Sequence, residues 1–61
     1  MKDLKVLILW HWCDRNGVVG SAEVTDFSGT FHQLRATLEM MREKYAGSDS
    51  RPIAQQIIVL P

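Results

Sequence analysis

The chain has 61 residues and a mass of 7.0 kDa, is 46% hydrophobic and 23% charged, and balances seven Lys and Arg against seven Asp and Glu. This apolar share excludes a disordered tail. The zero formal charge removes the attraction on which most binding to nucleic acid or anionic membrane rests, and the length holds one domain, 1–61, with a small interior.

Cys13 is the only cysteine, so no internal disulfide braces the fold, and a reducing, cytoplasmic location is expected. The apolar run from Val6 to Trp10 is far shorter than the roughly 20 residues that cross a bilayer, and no secretory cleavage pattern follows it. The span from Met1 to Pro61 reads as a complete small open reading frame.

The first element, Leu4 to Cys13, is rich in Val, Leu, Ile and Trp and carries no Gly or Pro, which favours a strand. Asp14-Arg15-Asn16-Gly17 places an acceptor side chain and then a glycine where a hairpin loop of three residues with a bulge needs them. A second strand follows from Val18 to about Asp26. The bulged turn pairs Asp14 with Val18, Trp12 with Gly20, Trp10 with Ala22 and Ile8 with Val24. It sets the indoles over small residues, and Leu7, Leu9, His11 and Cys13 on the other face against Val19, Ser21, Glu23 and Thr25. A tighter Asn16-Gly17 loop would set Trp10 against Glu23 and Trp12 against Ser21, mixing apolar with polar side chains.

Thr30 and Gln33 form a capping box, with Ser28 a second candidate cap. From there Phe31, Leu34, Leu38, Met41 and Tyr45 recur at helical spacing, predicting an amphipathic helix of about fifteen residues. Arg35, Glu39, Arg42 and Glu43 fall off that stripe. Gly47 is the expected stop, residues 48–52 an exposed loop, and Ala54 to Leu60 a last strand apolar on both faces. The result is an α+β fold of order ββαβ: a three-stranded antiparallel sheet of spatial order 2-1-3 with one helix packed on one face. The uncovered face then holds Leu7, Leu9 and His11 with either Ile57 and Val59 or Ile58 and Leu60, and the first pair is taken with them as the expected partner or dimer interface.

His11, Cys13, Asp14 and His32 are the candidate metal ligands. They fall short of the four well-placed ligands of structural zinc, and neither metal nor other cofactor is expected. Cys13 beside His11 could be drawn as a thiolate with its base, but no third orienting group or oxyanion donor accompanies them, so no catalytic residue is assigned. Small tautomerases of comparable size use an amino-terminal proline where this chain has Lys2. Trp10 and Trp12 could stack bases. The simpler reading places them beneath the helix, and Lys2, Lys5, Arg15, Arg35, Arg42, Lys44 and Arg51 are scattered among acids.

The stretch from Asp14 to Tyr45, a Gly-bearing hairpin, the turn Asp26-Phe27-Ser28-Gly29-Thr30 and an amphipathic helix, resembles the hairpin-then-helix unit of HicB-type antitoxins. It covers about half the chain and lacks their Pro-Asp-x-Pro-Gly turn. The resemblance implies a regulator that neutralises a toxin and contacts DNA as a dimer. In size and type the chain is similar to phage and mobile-element inhibitors of host machinery, anti-CRISPR proteins among them. The expectation is a protein-binding module that inhibits or bridges a larger partner and forms a homodimer. A His11 and Cys13 metal or thiol sensor is a further alternative.

Overall fold

The computed structural model describes residues 3–61, so Lys2, which separates the chain from the tautomerases, lies outside the described residues. Strand β1 runs Leu4–Cys13, β2 Val19–Gly29, helix α1 Phe31–Lys44 and β3 Arg51–Val59. The strands form one antiparallel sheet in the order β2-β1-β3, with α1 across one face. The α+β architecture expected from the sequence is the one observed. No helix among the described residues is long and apolar enough to cross a membrane.

The hairpin turn forms as its residues dictate. The Gly17 N–H donates to the Asp14 carbonyl at 3.1 Å and the Asp14 N–H to the Val18 carbonyl at 3.0 Å. The Asp14 carboxylate accepts from the Asn16 and Val18 N–H groups, each at 2.9 Å. Gly17 has φ of 80°, the left-handed conformation that closes the loop and favours glycine there.

Beyond the turn the expected register fails. Cys13 pairs with Val19, as the bulged turn requires, but His11 pairs with Ala22, Trp10 with Glu23 and Ile8 with Thr25. Gly20 and Ser21 thus oppose Trp12 alone, a β-bulge that shifts the rest of the strand by one residue. The physical reason lies in the indoles. Trp10 Nε1–H donates to Thr25 Oγ1 and Trp12 Nε1–H to a Glu23 carboxylate oxygen, both at 3.1 Å. Sorting apolar from polar faces misses this, because a buried indole needs an acceptor as well as space.

A second bulge lies on β3. Leu9 pairs with Gln56 and Trp10 with Ala54, leaving Gln55 without a partner on β1. The small neighbour expected for Trp10 is therefore Ala54, on the opposite side from Ala22. The strand also begins earlier than expected, at Arg51, and the supposed loop residue Pro52 is buried within it. The Leu60 N–H donates to the carbonyl of Lys5, which lies opposite it, so odd-numbered β1 residues bond to β3 and even-numbered ones to β2. Pro52, opposite Trp12, thus faces the free edge, where its missing N–H breaks no ladder bond.

β2 continues three residues past Asp26, and the expected turn at 26–30 is strand up to Gly29. Gly29 is buried because a Cβ there would lie 2.5 Å from Gln33 Oε1, the atom that accepts from the Thr30 N–H. Thr30 Oγ1 accepts from the Gln33 N–H in return, completing the capping box. Of the helical stripe, Leu34 is buried and Leu38, Met41 and Tyr45 are half-buried, whereas Phe31, in the first turn, is 64% exposed. The helix ends at Lys44 in a run of turns, and Gly47 does not adopt the left-handed conformation of a helix stop.

The core is Val6, Ile8, Trp10 and Leu34, flanked by Leu4, Phe27, Leu38 and Met41. Trp12 stands at its end, edge-on to Tyr45 at 4.9 Å. Because Trp10 is the largest member of so small a core, Trp10→Ala is expected to cost about 3 to 5 kcal/mol, read as loss of a cooperative thermal melt. Thr25→Val keeps the shape but strands the indole N–H. It should cost about 1 to 3 kcal/mol in urea denaturation, and an unchanged midpoint would show that the bond does not support the fold.

Candidate functional site

Paired residues in an antiparallel sheet project to the same side, so the register assigns every side chain to a face. On β1, Val6, Ile8 and Trp10 are buried beneath α1, which leaves Leu7, Leu9, His11 and Cys13 on the open face, all half-buried by their neighbours. β2 adds Val24 opposite Leu9, Ala22 opposite His11 and Val19 opposite Cys13. β3 adds Ile58 opposite Leu7, Gln56 opposite Leu9, Ile53 opposite His11, and Leu60 opposite Lys5.

Ile57 and Val59 do not belong to this face. They pair with Ile8 and Val6, so they project to the helix side, where α1 leaves them 40% and 63% exposed. The alternative pair, Ile58 and Leu60, lies beside Leu7 and Leu9. The sequence left the two pairs unresolved because Ile57-Ile58-Val59-Leu60 is apolar at every position, and the unpaired Gln55 upsets alternation with Ile53. Val24 and Ile53 are open-face residues that the sequence reading missed. Val24 was misassigned with the β2 register, and Ile53 fell between the expected loop at 48–52 and the expected strand from Ala54.

The open face is mainly apolar at its centre, with Gln56 beside Leu9 as a polar interruption, and has a polar border. Lys5, Ser28 and Asp26 share its far end with Leu60, and Arg51 lies at the hairpin end beside Cys13. His11 is the titratable group nearest the middle, between Ala22 and Ile53.

Chemistry-bearing side chains are not gathered. Among the described residues, no cluster of three or more His, Cys, Asp and Glu is placed to hold a metal ion. His11 and Cys13 share the open face, but the Asp14 carboxylate is engaged by the turn amides, and His32 is exposed on α1, across the sheet. A groove of about 640 Å³ runs between α1 and β3, lined by Trp10, Leu38, Arg42, Ala46, Arg51, Pro52, Ile53 and Ala54. It follows from the small Ala46 and Ala54 on either side of the indole.

The domain is long and thin, with principal extents of 41 × 20 × 11 Å. The Cα radius of gyration is 12.4 Å, against about 10.5 Å for a compact chain of this length. The accessible surface is 4780 Å², against about 4,000 Å² for a compact protein of this mass. Compared with protein-family models, with curated proteins and with solved structures, the chain matches none.

Proposed function

We propose that the protein is a small protein-binding module that docks the open face of its sheet on a larger protein and blocks or bridges it. The observation that supports this reading is the largely apolar surface of Leu7, Leu9, Val24, Ile53, Ile58 and Leu60, interrupted on β3 by Gln56, which the helix, packed on the other side of the sheet, leaves uncovered by any element among the described residues. Exposed apolar patches of this kind are rare on chains that work alone.

The occupant that fits is a folded protein surface with an apolar centre. A nucleic acid would call for a basic stripe, whereas the border carries Lys5 and Arg51 with Asp26.

Leu9 sits at the centre of the face and outside the core cluster. Leu9→Glu is expected to leave the helix signal in circular dichroism intact and to abolish capture of a stoichiometric partner from host extract, while Glu39→Gln, on the exposed side of α1, retains it. Equal capture by both variants, or no stoichiometric partner for the wild type, would overturn the reading. Ile53→Glu, at a half-exposed position near the β3 terminus, repeats the test should Leu9→Glu destabilise the sheet. A wild-type dimer dissolved by both face variants would show that a second copy occupies the face instead.

A further inference from the structure

We propose that the free edge of β3 is a self-association edge, pairing antiparallel with β3 of a second copy about a two-fold axis at Ile58. The inference concerns the main-chain edge of β3, which shares only Ile58 and its neighbour Leu60 with the docking face, and it does not depend on what that face binds.

The first support is hydrogen bonding. The Leu60 bond to Lys5 sets the ladder phase, so Ile58 and Gln56 turn their main-chain groups toward β1, and Ile57 and Val59 turn theirs outward. These outward N–H and C=O groups have no strand beside them, since β3 ends the sheet.

The second is the absence of edge protection. Natural edges carry charges, prolines or bulges that discourage pairing. From Ile53 to Leu60 the sequence has no charged residue, and Pro52 and the Gln55 bulge guard only the first part of the strand. The other edge differs: β2 holds Glu23 and Asp26 and has its bulge at Gly20 and Ser21. Ile57, Ile58 and Val59, all β-branched, therefore form the unguarded end of the sheet, and each is at least 40% exposed.

The third is self-complementarity. With the axis at Ile58, Ile57 of one copy lies opposite Val59 of the other, twice over, and each such pair exchanges its outward main-chain hydrogen bonds. The Ile58 side chains meet on the open face, and those of Ile57 and Val59 meet on the helix side, where α1 leaves them uncovered. The two three-stranded sheets become one continuous sheet. The docking face doubles in width and stays free.

The axis position is testable by cross-linking. Residues facing each other in a non-hydrogen-bonded antiparallel pair have Cα atoms about 4.5 Å apart, within disulfide reach. In a Cys13→Ser background, Ile58→Cys should yield a disulfide-linked dimer as the main species under mild oxidation at micromolar concentration, and Asp26→Cys, on the guarded β2 edge, should not. Equal cross-linking of the two, or none for Ile58→Cys, would overturn the proposal. Sedimentation supplies the second measurement. Val59→Lys, which places a charge on the edge without removing any bond to β1, should convert dimer to monomer with an unchanged circular dichroism spectrum, and Leu9→Glu should leave the dimer intact. A wild-type monomer at these concentrations, or a dimer that survives Val59→Lys and dissolves with Leu9→Glu, refutes edge pairing whatever the fate of partner binding.

Discussion

The burial of the Trp10 indole under a single helix is the constraint from which most of the architecture follows. The ring is the largest side chain in the core, and it brings an N–H that needs an acceptor when buried. The fold meets both needs by distorting the strands on either side. On β2, the bulge at Gly20 and Ser21 moves Thr25 and Glu23 onto the helix side, where they accept from Trp10 and Trp12. On β3, skipping Gln55 sets Ala54 beside Trp10. Bulges increase local twist, and both of these flank the stretch of β1 that carries the two tryptophans.

The same constraint separates what the sequence reveals from what it conceals. Elements governed by local chemistry were legible: the Asp14–Gly17 turn, the Thr30–Gln33 capping box, the extent of β1 and the order of the strands. Each depends on a few neighbouring residues with one satisfactory geometry. The strand register was legible only at the turn. Farther along it depends on a hydrogen bond between Trp10 and Thr25, which lie on different strands, and no alternation of polarity announces that bond. Of the candidate face, Leu7, Leu9 and His11 were placed correctly because they follow from β1 alone. Ile57 and Val59 were misplaced because the face of a uniformly apolar strand is decided by its partner.

Size explains why so much apolar surface stays outside. A short chain has material for one sheet and one helix, and the helix spans the sheet obliquely, covering the middle of β1 and leaving Val59 and the β3 margin exposed. A second layer would need another helix or hairpin. Without one, Leu7 and Leu9 shield each other and their cross-strand neighbours only in part. The surrounding polar contacts are weak substitutes: the ion pairs Arg15–Asp49 and Arg35–Glu39 both lie in solvent, where such pairs contribute little.

Exposed face and exposed edge make different demands on a partner, and their difference in chemistry assigns them different occupants. An apolar face selects by shape and area, so any protein with a complementary surface can cover it. A strand edge selects by hydrogen-bond phase, and a two-fold copy of the same strand offers the matching phase without further design. The face is bordered by Lys5 and Asp26 at one end and Arg51 at the other, whereas Ile57 to Val59 has no such border. In the proposed assembly, pairing at the edge would remove the less protected surface and leave the face for a foreign protein.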